Sequence, residues 1–127
     1  MTGTAVATGG AGGAGRAGAD EEYVAAVLDV VARIPPGRAM TYGLVAEVVA
    51  DELIARHGRA RGGPRQVGHV LARTDADVPW WRVVPAHGAP APHLAERALE
   101  HLRAEGTPLS ADGTRVRLRA AVWFPEA

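Results

Sequence analysis

The sequence contains no cysteine and no lysine, and its only aromatic residues are three tryptophans, two tyrosines and one phenylalanine. Without cysteine the chain forms no disulfide, has no thiol nucleophile and offers no thiolate to a metal ion. It lacks an apolar run near the roughly 20 residues that a membrane-spanning helix needs. Its N-terminus also lacks the basic start and apolar stretch of a secretory signal. We therefore expect a soluble, cytoplasmic protein without a membrane partner, a metal or a cofactor.

The charged residues balance in number but not in position along the chain. Fourteen basic residues, all arginine, are matched by 14 acidic ones. Between residues 55 and 74 the basic residues occur without any acid. Such a local basic segment is typical of nucleic-acid binding, although the solvated surface of an arginine-using protein explains it equally well. The segment contains Arg56, His57, Arg59, Arg61, Arg65, His69 and Arg73. The acids concentrate elsewhere, at Asp20, Glu21, Glu22, Asp29, Glu96, Glu100 and Glu105.

The N-terminal segment differs in composition from the rest of the chain. Residues 1–19 consist mainly of glycine and alanine and carry one charge, Arg16. A segment of this kind cannot bury enough apolar surface to offset its loss of chain entropy. We therefore predict a disordered tail over residues 1–19 and a single domain over residues 20–127.

Four segments of that domain have the apolar periodicity of amphipathic helices. Asp20 is positioned to cap the first and Thr41 the second, and Pro64 suits the first turn of the third. The first helix has an apolar stripe of Tyr23, Val24, Val27, Leu28 and Val31. The predicted helices run from Glu21 to Arg33, from after Thr41 to about His57, from Pro64 to about Arg73, and from about His93 to Glu105.

A hairpin is predicted after the last helix. Two short extended segments, 107–110 and 114–118, flank the turn dipeptide Asp112-Gly113, which is a common hairpin signal. Helices followed by a hairpin indicate a mainly α domain with a small β wing, of the winged helix-turn-helix-like kind.

The third helix and the hairpin each present basic residues on one side. Arg65, His69 and Arg73 are spaced at i, i+4 and i+8, so they share one face of the helix, with Gln66 beside them. Arginine, glutamine and histidine are side chains suited to contacting DNA. In the second hairpin strand, side chains alternate between the two sides. This alternation places three arginines on one side: Arg115, Arg117 and Arg119.

Two adjacent tryptophans, Trp80 and Trp81, lie in the proline-rich, largely irregular segment 74–92. In an extended segment neighbouring side chains point to opposite sides, so one indole can fill the core while the other lines a cleft. Burial of both in the core is the alternative. An aromatic side chain beside a basic surface is also what stacking against a nucleic-acid base requires.

Four motifs, in order along the chain, carry a family resemblance. Residues 36–46 (PGRAMTYGLVA) resemble the start of the DNA-binding domain of O6-alkylguanine-DNA alkyltransferases, and residues 65–68 (RQVG) resemble its arginine-bearing recognition helix. Residues 79–84 (PWWRVV) resemble the active-site loop, where that family has Pro-Cys-His-Arg-Val. Residues 102–106 resemble the later helix that ends in Glu-Gly. The resemblance implies the C-terminal domain fold of these alkyltransferases.

The resemblance departs from the enzymes at the reacting atoms. Trp80 stands where the alkyl-accepting cysteine is expected and Trp81 where its histidine is expected. A thiolate accepts the alkyl group and histidine helps to generate it, whereas indole does neither. The chain therefore resembles the alkyltransferase-like proteins, the non-enzymatic branch. Its members bind O6-alkylguanine in double-stranded DNA without repairing it and pass the lesion to nucleotide excision repair.

The resemblance also implies roles for individual residues. Arg65 is expected to fill the gap left by a flipped nucleotide, and Tyr42, with Thr41 beside it, to contact the backbone phosphate. Gln66, His69 and Arg73 complete the expected DNA-binding surface. Glu105 and Arg82 are expected to be structural, with Glu105 capping the helix or bonding backbone near Gly106. The expected lesion pocket consists of Trp80, Trp81, Pro79 and Val83.

The sequence is also compatible with two other functions. A winged-helix transcriptional regulator would read undamaged sequence with Arg65, Gln66, His69 and Arg73, and the tryptophan loop would then be core. An enzyme would use the acids and histidines that flank the tryptophans, namely Asp75, Asp77, His87 and His93. The spacing of these four residues matches no compact catalytic site. No heptad or additional apolar stripe indicates a dimer, so we expect a monomer that is associated with the nucleoid when bound to DNA.

Overall fold

The computed structural model describes residues 11–126, and the environments of side chains from residue 20 onward. Most of its regular structure is helical, which confirms the predicted fold class. The elements, in chain order, are α1 (Ala11–Arg33), β1 (Met40–Thr41), α2 (Tyr42–His57), α3 (Pro64–Arg73), a 3-10 turn (Trp80–Arg82), β2 (Val83–Val84), α4 (Ala95–Ala104) and α5 (Leu118–Ala121). Within this range no helix is both long and apolar enough to cross a membrane.

The core consists of two clusters of buried side chains. The larger one joins α1, α2 and α3, which pack against one another through valines that are fully or almost fully buried. The smaller one joins Ala39, Val84, Leu102, Val116 and Ala121, and so ties the strands to α4 and to the C-terminal segment. Burial of each valine or leucine side chain in these clusters contributes about 1.5–3 kcal/mol. The two clusters together hold α3 and the tryptophan turn in one unit.

A two-residue parallel pair links the two halves of the domain. Met40 pairs with Val83 and Thr41 with Val84. The pair places the end of the tryptophan turn beside the start of α2, where Tyr42 lies. Segments that are about 40 residues apart in sequence thereby form one edge of the candidate site.

The local signals for α2 and α3 are confirmed. Thr41 caps α2, since its Oγ1 accepts a hydrogen bond from the Leu44 backbone N–H at 3.0 Å. The helix ends at His57, as predicted, with Gly58 in the left-handed conformation after it. Helix α3 begins at Pro64, which occupies a position where its missing N–H leaves no carbonyl unpaired.

Helix α1 starts earlier than predicted. It begins at Ala11, so Asp20 lies inside the helix and is not its N-cap. Residues 11–19 of the predicted tail therefore lie in the helix, while residues 1–10 fall outside the described residues. Alanine has the highest helix propensity and lengthens a helix that packing already supports, although glycine opposes it. The buried stripe also differs, because Val24 is exposed while Ala26 and Val30 are buried.

The wing and α4 are shorter than predicted. Pairing across the hairpin reduces to one antiparallel bridge, Leu109 with Val116. The Val116 N–H donates to the Gly88 carbonyl at 2.9 Å, outside the hairpin, and α5 begins at Leu118. Arg119 therefore lies in a helix and does not continue the row of Arg115 and Arg117. Helix α4 begins at Ala95 because residues 92–94 form a turn.

Candidate nucleic-acid interface

The exposed face of α3 carries three basic side chains. Arg65, His69 and Arg73 are all exposed, as their spacing predicted. None of the three forms an ion pair with an acid anywhere in residues 20–126. The packed side of the helix is anchored by the fully buried Val67. The face is therefore a solvent-directed basic surface on a rigid element.

Gln66 has a structural task at the start of this helix. Its Oε1 accepts a hydrogen bond from the Gly63 backbone N–H at 2.9 Å. This bond satisfies a backbone donor that precedes the first turn. Base recognition by glutamine uses both the carbonyl and the amide groups of its side chain. The carbonyl of Gln66 is occupied by its own chain, so Gln66 is poorly prepared for that contact.

Tyr42 is the first residue of α2, and its side chain lies next to the backbone of Gly68 in α3. A Cβ atom at position 68 would come within 4.0 Å of the tyrosine ring, so the ring packs against the helix. Burial raises the pKa of Tyr42 above its ordinary value. The phenol therefore keeps its proton near neutral pH and can donate a hydrogen bond to an anion.

Two depressions share Tyr42 in their lining. The first, the finger depression, has a volume of about 470 Å³ and contains Arg65. The second, the tryptophan cavity, has a volume of about 460 Å³ and contains Trp80. Tyr42 and Gly68 line both. The remaining residues of the finger depression are Thr41, Gly43, Pro64, Pro85 and Ala86. Those of the tryptophan cavity are Leu71, Ala72, Thr74, Ala91, His93, Leu94 and Arg97.

The two tryptophans occupy a 3-10 turn, so the prediction of an extended segment at these residues is wrong. The turn closes because the Arg82 N–H donates to the Pro79 carbonyl at 3.0 Å. The two indoles meet edge to face, with centroids 5.7 Å apart. Arg97 of α4 lies over the Trp80 ring, with its Cζ 5.4 Å from the ring centroid. Trp80 is thus a half-buried wall with a cation against one face.

Trp81 faces away from the tryptophan cavity. Its ring stacks on His101, with centroids 3.9 Å apart and planes 11° apart. Its Nε1–H donates to Glu105 Oε2 at 2.9 Å. Val83 is buried in the larger core cluster, and Pro79 is half-buried. Of the four expected pocket residues, only Trp80 lines the cavity; the roles of all four in lesion binding stay predictions.

Glu105 accepts hydrogen bonds from two separate segments, the tryptophan turn and the loop that contains Gly37. Its carboxylate accepts from Trp81, from Arg82 Nε at 2.9 Å and from the Gly37 backbone N–H at 3.3 Å. Burial opposes ionisation of Glu105, but the bonds from Arg82, Trp81 and Gly37 outweigh it, so the pKa lies below its ordinary value. Arg82 also donates to the Ile34 carbonyl at 2.7 Å. Both residues have structural roles, as expected: Glu105 is the C-cap of α4, but the partners of its carboxylate are not backbone groups near Gly106.

The acids of α1 are close in space to the basic segment, contrary to the separation that their sequence positions indicate. Arg61 pairs with Asp20 at 2.8 Å. Glu22 accepts from His57 at 2.8 Å and lies 3.6 Å from Arg56. A contiguous sequence of basic residues therefore does not form a uniformly positive surface. Side chains without an acid partner, within residues 20–126, include Arg59 and the three on α3.

The acids and histidines of the enzyme hypothesis do not converge. Only His93 lines the tryptophan cavity, and His87 accepts a hydrogen bond from the Ala89 N–H in its own turn at 3.2 Å. In the portion of the chain with described side chains, no group of three histidines or acids is arranged to hold a metal ion. The cavity residues that the sequence did not reveal are Leu94 and Arg97. Arg97 belongs to α4 and Leu94 to the turn before it; helical periodicity predicts which residues are buried but not which of them lie near Trp80.

Comparisons with known proteins agree on one family. Residues 22–107 match the 6-O-methylguanine DNA methyltransferase, DNA binding domain family. The DNA base-flipping protein of Escherichia coli strain K12 is 35% identical over 99 residues, which cover 74% of this chain and 69% of that protein. The DNA base-flipping protein of Vibrio parahaemolyticus is 28% identical over 108 residues, covering 83% of this chain and 99% of that protein.

Two solved structures share the fold. The S. pombe ATL in complex with DNA superposes with a TM-score of 0.65 at 26% identity, covering 83% of this chain and 97% of that one. The S. pombe Atl1 in complex with damaged DNA containing O6-carboxymethylguanine superposes with a TM-score of 0.66, at the same identity and coverage.

Proposed function

Because the chain belongs to the 6-O-methylguanine DNA methyltransferase, DNA binding domain family, we propose that it recognises O6-alkylguanine in double-stranded DNA by nucleotide flipping and does not transfer the alkyl group. The observation that carries the proposal is the pair of depressions that share Tyr42 in their lining, one containing Arg65 and the other Trp80. One depression is positioned beside the helix end that would enter the duplex. The other offers an apolar wall to an extruded base.

Flipping is energetically accessible for a damaged base. Extruding a nucleotide costs a few kcal/mol, and the cost is least for a mismatched or damaged pair. An O6-alkyl group spoils the pairing of guanine with cytosine, so the lesion leaves the stack more readily than normal guanine. Arg65 is exposed in the first turn of α3, from which its planar guanidinium can stack in the vacated space while its charge stays near phosphates.

Tyr42 is proposed to hold the rotated nucleotide through its backbone. Its phenol stays protonated at neutral pH, because burial raises its pKa, and it can therefore donate to a phosphate oxygen. Tyr42 lines both depressions, so in the proposed complex it lies where the nucleotide passes from the base-pair stack into the tryptophan cavity. Thr41 is occupied in capping α2, so its part in binding is to fix the position of Tyr42.

Trp80 is proposed to line the lesion pocket in place of a nucleophile. An indole ring gives apolar and stacking contact without a fixed partner geometry, so it accepts alkyl groups of different size. The neighbouring Trp81 directs its N–H to Glu105, which keeps the loop in place but provides no proton acceptor. Binding without alkyl transfer follows because Trp80 stands in place of the cysteine and Trp81 in place of the histidine of the enzymes.

The rival function, a regulator that reads undamaged sequence, is less well supported. It would need Gln66 and the basic face of α3 to contact base edges. The Gln66 carbonyl is already bonded to Gly63, and Trp80 lines a cavity instead of filling the core. We further propose that the protein acts as a monomer in the cytoplasm, on nucleoid DNA, and that bound lesions pass to nucleotide excision repair.

The proposed function is tested by comparing two duplexes that differ only in one O6-methylguanine. We expect tighter binding of the damaged duplex by the wild type. Trp80→Ala should reduce that preference by about 5- to 150-fold, since aromatic stacking on a base contributes about 1–3 kcal/mol. Equal wild-type affinity for both duplexes, measured by fluorescence anisotropy, would refute lesion recognition. Equal weakening of both duplexes by Trp80→Ala would remove Trp80 from the pocket.

The absence of alkyl transfer is tested by introducing the missing thiol. Trp80→Cys should accept no alkyl group from damaged DNA, because Trp81 provides no base to generate the thiolate. The matched comparison is the double variant Trp80→Cys with Trp81→His, which has the thiol and also places a histidine next to Glu105. Mass spectrometry of the protein after incubation gives the result. Alkylation of the introduced cysteine in the single variant would contradict the argument.

A further inference from the structure

We propose that Arg59 binds a phosphate of the DNA backbone outside the lesion, on a loop that α1 holds in position. The loop, here called the arginine loop, comprises residues 58–63 between α2 and α3. The inference depends on the proposed function only in requiring that the protein binds DNA. It concerns a second contact, separate from the finger depression and the tryptophan cavity.

Arg59 differs from its basic neighbours in having no acid partner among the described side chains. Arg56 and His57 share Glu22, and Arg61 pairs with Asp20. Arg56 and Arg61 thus each have an acid partner within the protein. Arg59 is exposed and keeps its full charge for an external anion. A guanidinium binds a phosphate through two parallel hydrogen bonds, which makes it the preferred side chain for this contact.

The arginine loop is anchored to α1 by shape as well as by charge. Gly62 has a φ of +82°, which favours glycine, and a Cβ atom there would overlap the Tyr23 phenol ring. Tyr23 is itself only 4% exposed. Arg61 adds a cation–π contact, with its Cζ 5.4 Å from the centroid of that ring. Arg59 thus lies between two anchored points, one at residues 56–57 and one at residues 61–62.

The loop joins the DNA-facing end of α3. It leads through Gly63, which precedes the helix, into Pro64 and Arg65, and these two residues line the finger depression with Tyr42. Residues 54–62 are exposed without interruption. Duplex DNA carries a negative charge about every 1.7 Å along its axis. A protein that inserts Arg65 therefore brings the arginine loop towards phosphates on the flank of the lesion.

Arg59→Ala tests the phosphate contact. We expect damaged and undamaged duplexes to weaken by the same factor, about 3- to 10-fold at low salt, and the slope of log affinity against log salt to fall by about one. Arg103→Ala is the matched control, because Arg103 is also exposed without an acid partner among the described side chains but lies on α4. It should leave the slope unchanged. A salt slope that is the same in wild type and Arg59→Ala, at unchanged affinity, would overturn the inference.

A charge-neutral pair of variants tests the anchoring. Gly62→Ala places a methyl group against Tyr23 and should lower affinity for both duplexes about as much as Arg59→Ala does. Gly58→Ala imposes similar backbone strain, with a φ of +77°, but meets no atom within 4 Å; it should bind as the wild type does. Circular dichroism verifies that both variants are folded. Equal affinities of folded Gly62→Ala and Gly58→Ala would contradict the anchoring.

The two proposals fail independently in these measurements. If the wild type binds both duplexes equally while Arg59→Ala lowers the salt slope, lesion recognition is wrong and the phosphate contact stands. If the wild type prefers the damaged duplex while Arg59→Ala changes nothing, lesion recognition stands and the second contact is wrong.

Discussion

Arg65→Ala is expected to weaken binding to a duplex with one O6-methylguanine by roughly 5- to 150-fold, corresponding to about 1–3 kcal/mol. Two contributions are lost together. One is the stacking of the guanidinium in the space left by the flipped nucleotide, and the other is its charge beside the phosphates. The fold should be unaffected, because Arg65 is exposed and contacts no acid within the described side chains.

Arg73→Ala separates these two contributions. Arg73 lies on the same helix and has the same charge, but it lies at the far end of α3 from the finger depression. Its loss should weaken both duplexes by a similar, smaller factor. Titrations by fluorescence anisotropy at fixed salt provide the comparison. If the two variants lose the same affinity for the damaged duplex, Arg65 acts only as a charge and the finger role is excluded.

Glu105→Ala is expected to have the largest effect on stability, a loss of about 3 kcal/mol in the free energy of unfolding. The substitution leaves Arg82 largely buried without its counter-charge and removes the acceptor for Trp81 and for the Gly37 backbone. The penalty comes mainly from these orphaned donors and less from the lost attraction itself. Urea unfolding followed by tryptophan fluorescence measures it.

Glu105→Gln is the matched control, and the difference in stability between it and the wild type should depend on pH. The amide keeps an acceptor and the side-chain volume, so its stability loss should be smaller than that of Glu105→Ala. Because hydrogen bonds lower the pKa of Glu105 in the folded protein, its stabilisation is complete above the ordinary carboxyl pKa and disappears as the pH falls through the lower, folded value. The difference between wild type and Glu105→Gln should therefore shrink below about pH 4. A difference that is constant from pH 7 to pH 3 would show that the carboxylate charge contributes nothing.

The sequence was most informative where structure depends on neighbouring residues. The Thr41 cap, the start of α3 at Pro64 and the exposure of Arg65, His69 and Arg73 follow from rules that act within one or two helical turns. The family resemblance added what local rules cannot provide, namely which loop lies beside α3. The match over residues 22–107 confirms the family, and in the structure Trp80 lines a cavity together with Gly68 and Leu71 of α3.

The side-chain partners that the sequence did not reveal are mostly distant along the chain. Glu105 bonds to residues 23 and 68 positions away, and no periodicity encodes such a choice of partner. The pairing of Asp20 with Arg61 joins residues 41 positions apart. Charge counting along the chain could not detect this neutralisation, because it depends on how α1 packs against α2. Arg97 was missed for the same reason, since only the folded chain brings α4 against Trp80.

The short parallel pair of β1 and β2 determines how adducts of different size can be accommodated. Met40 and Thr41 are held in register with Val83 and Val84, and the Val83 N–H donates back to the Trp80 carbonyl. Tyr42 and Trp80, the two aromatic walls, are therefore joined by a few rigid peptide units and cannot move apart without breaking the register. Ala91 and His93, which also line this cavity, lie on a segment outside the parallel pair and are not held by its register. Adduct length should thus be tolerated more readily than adduct width.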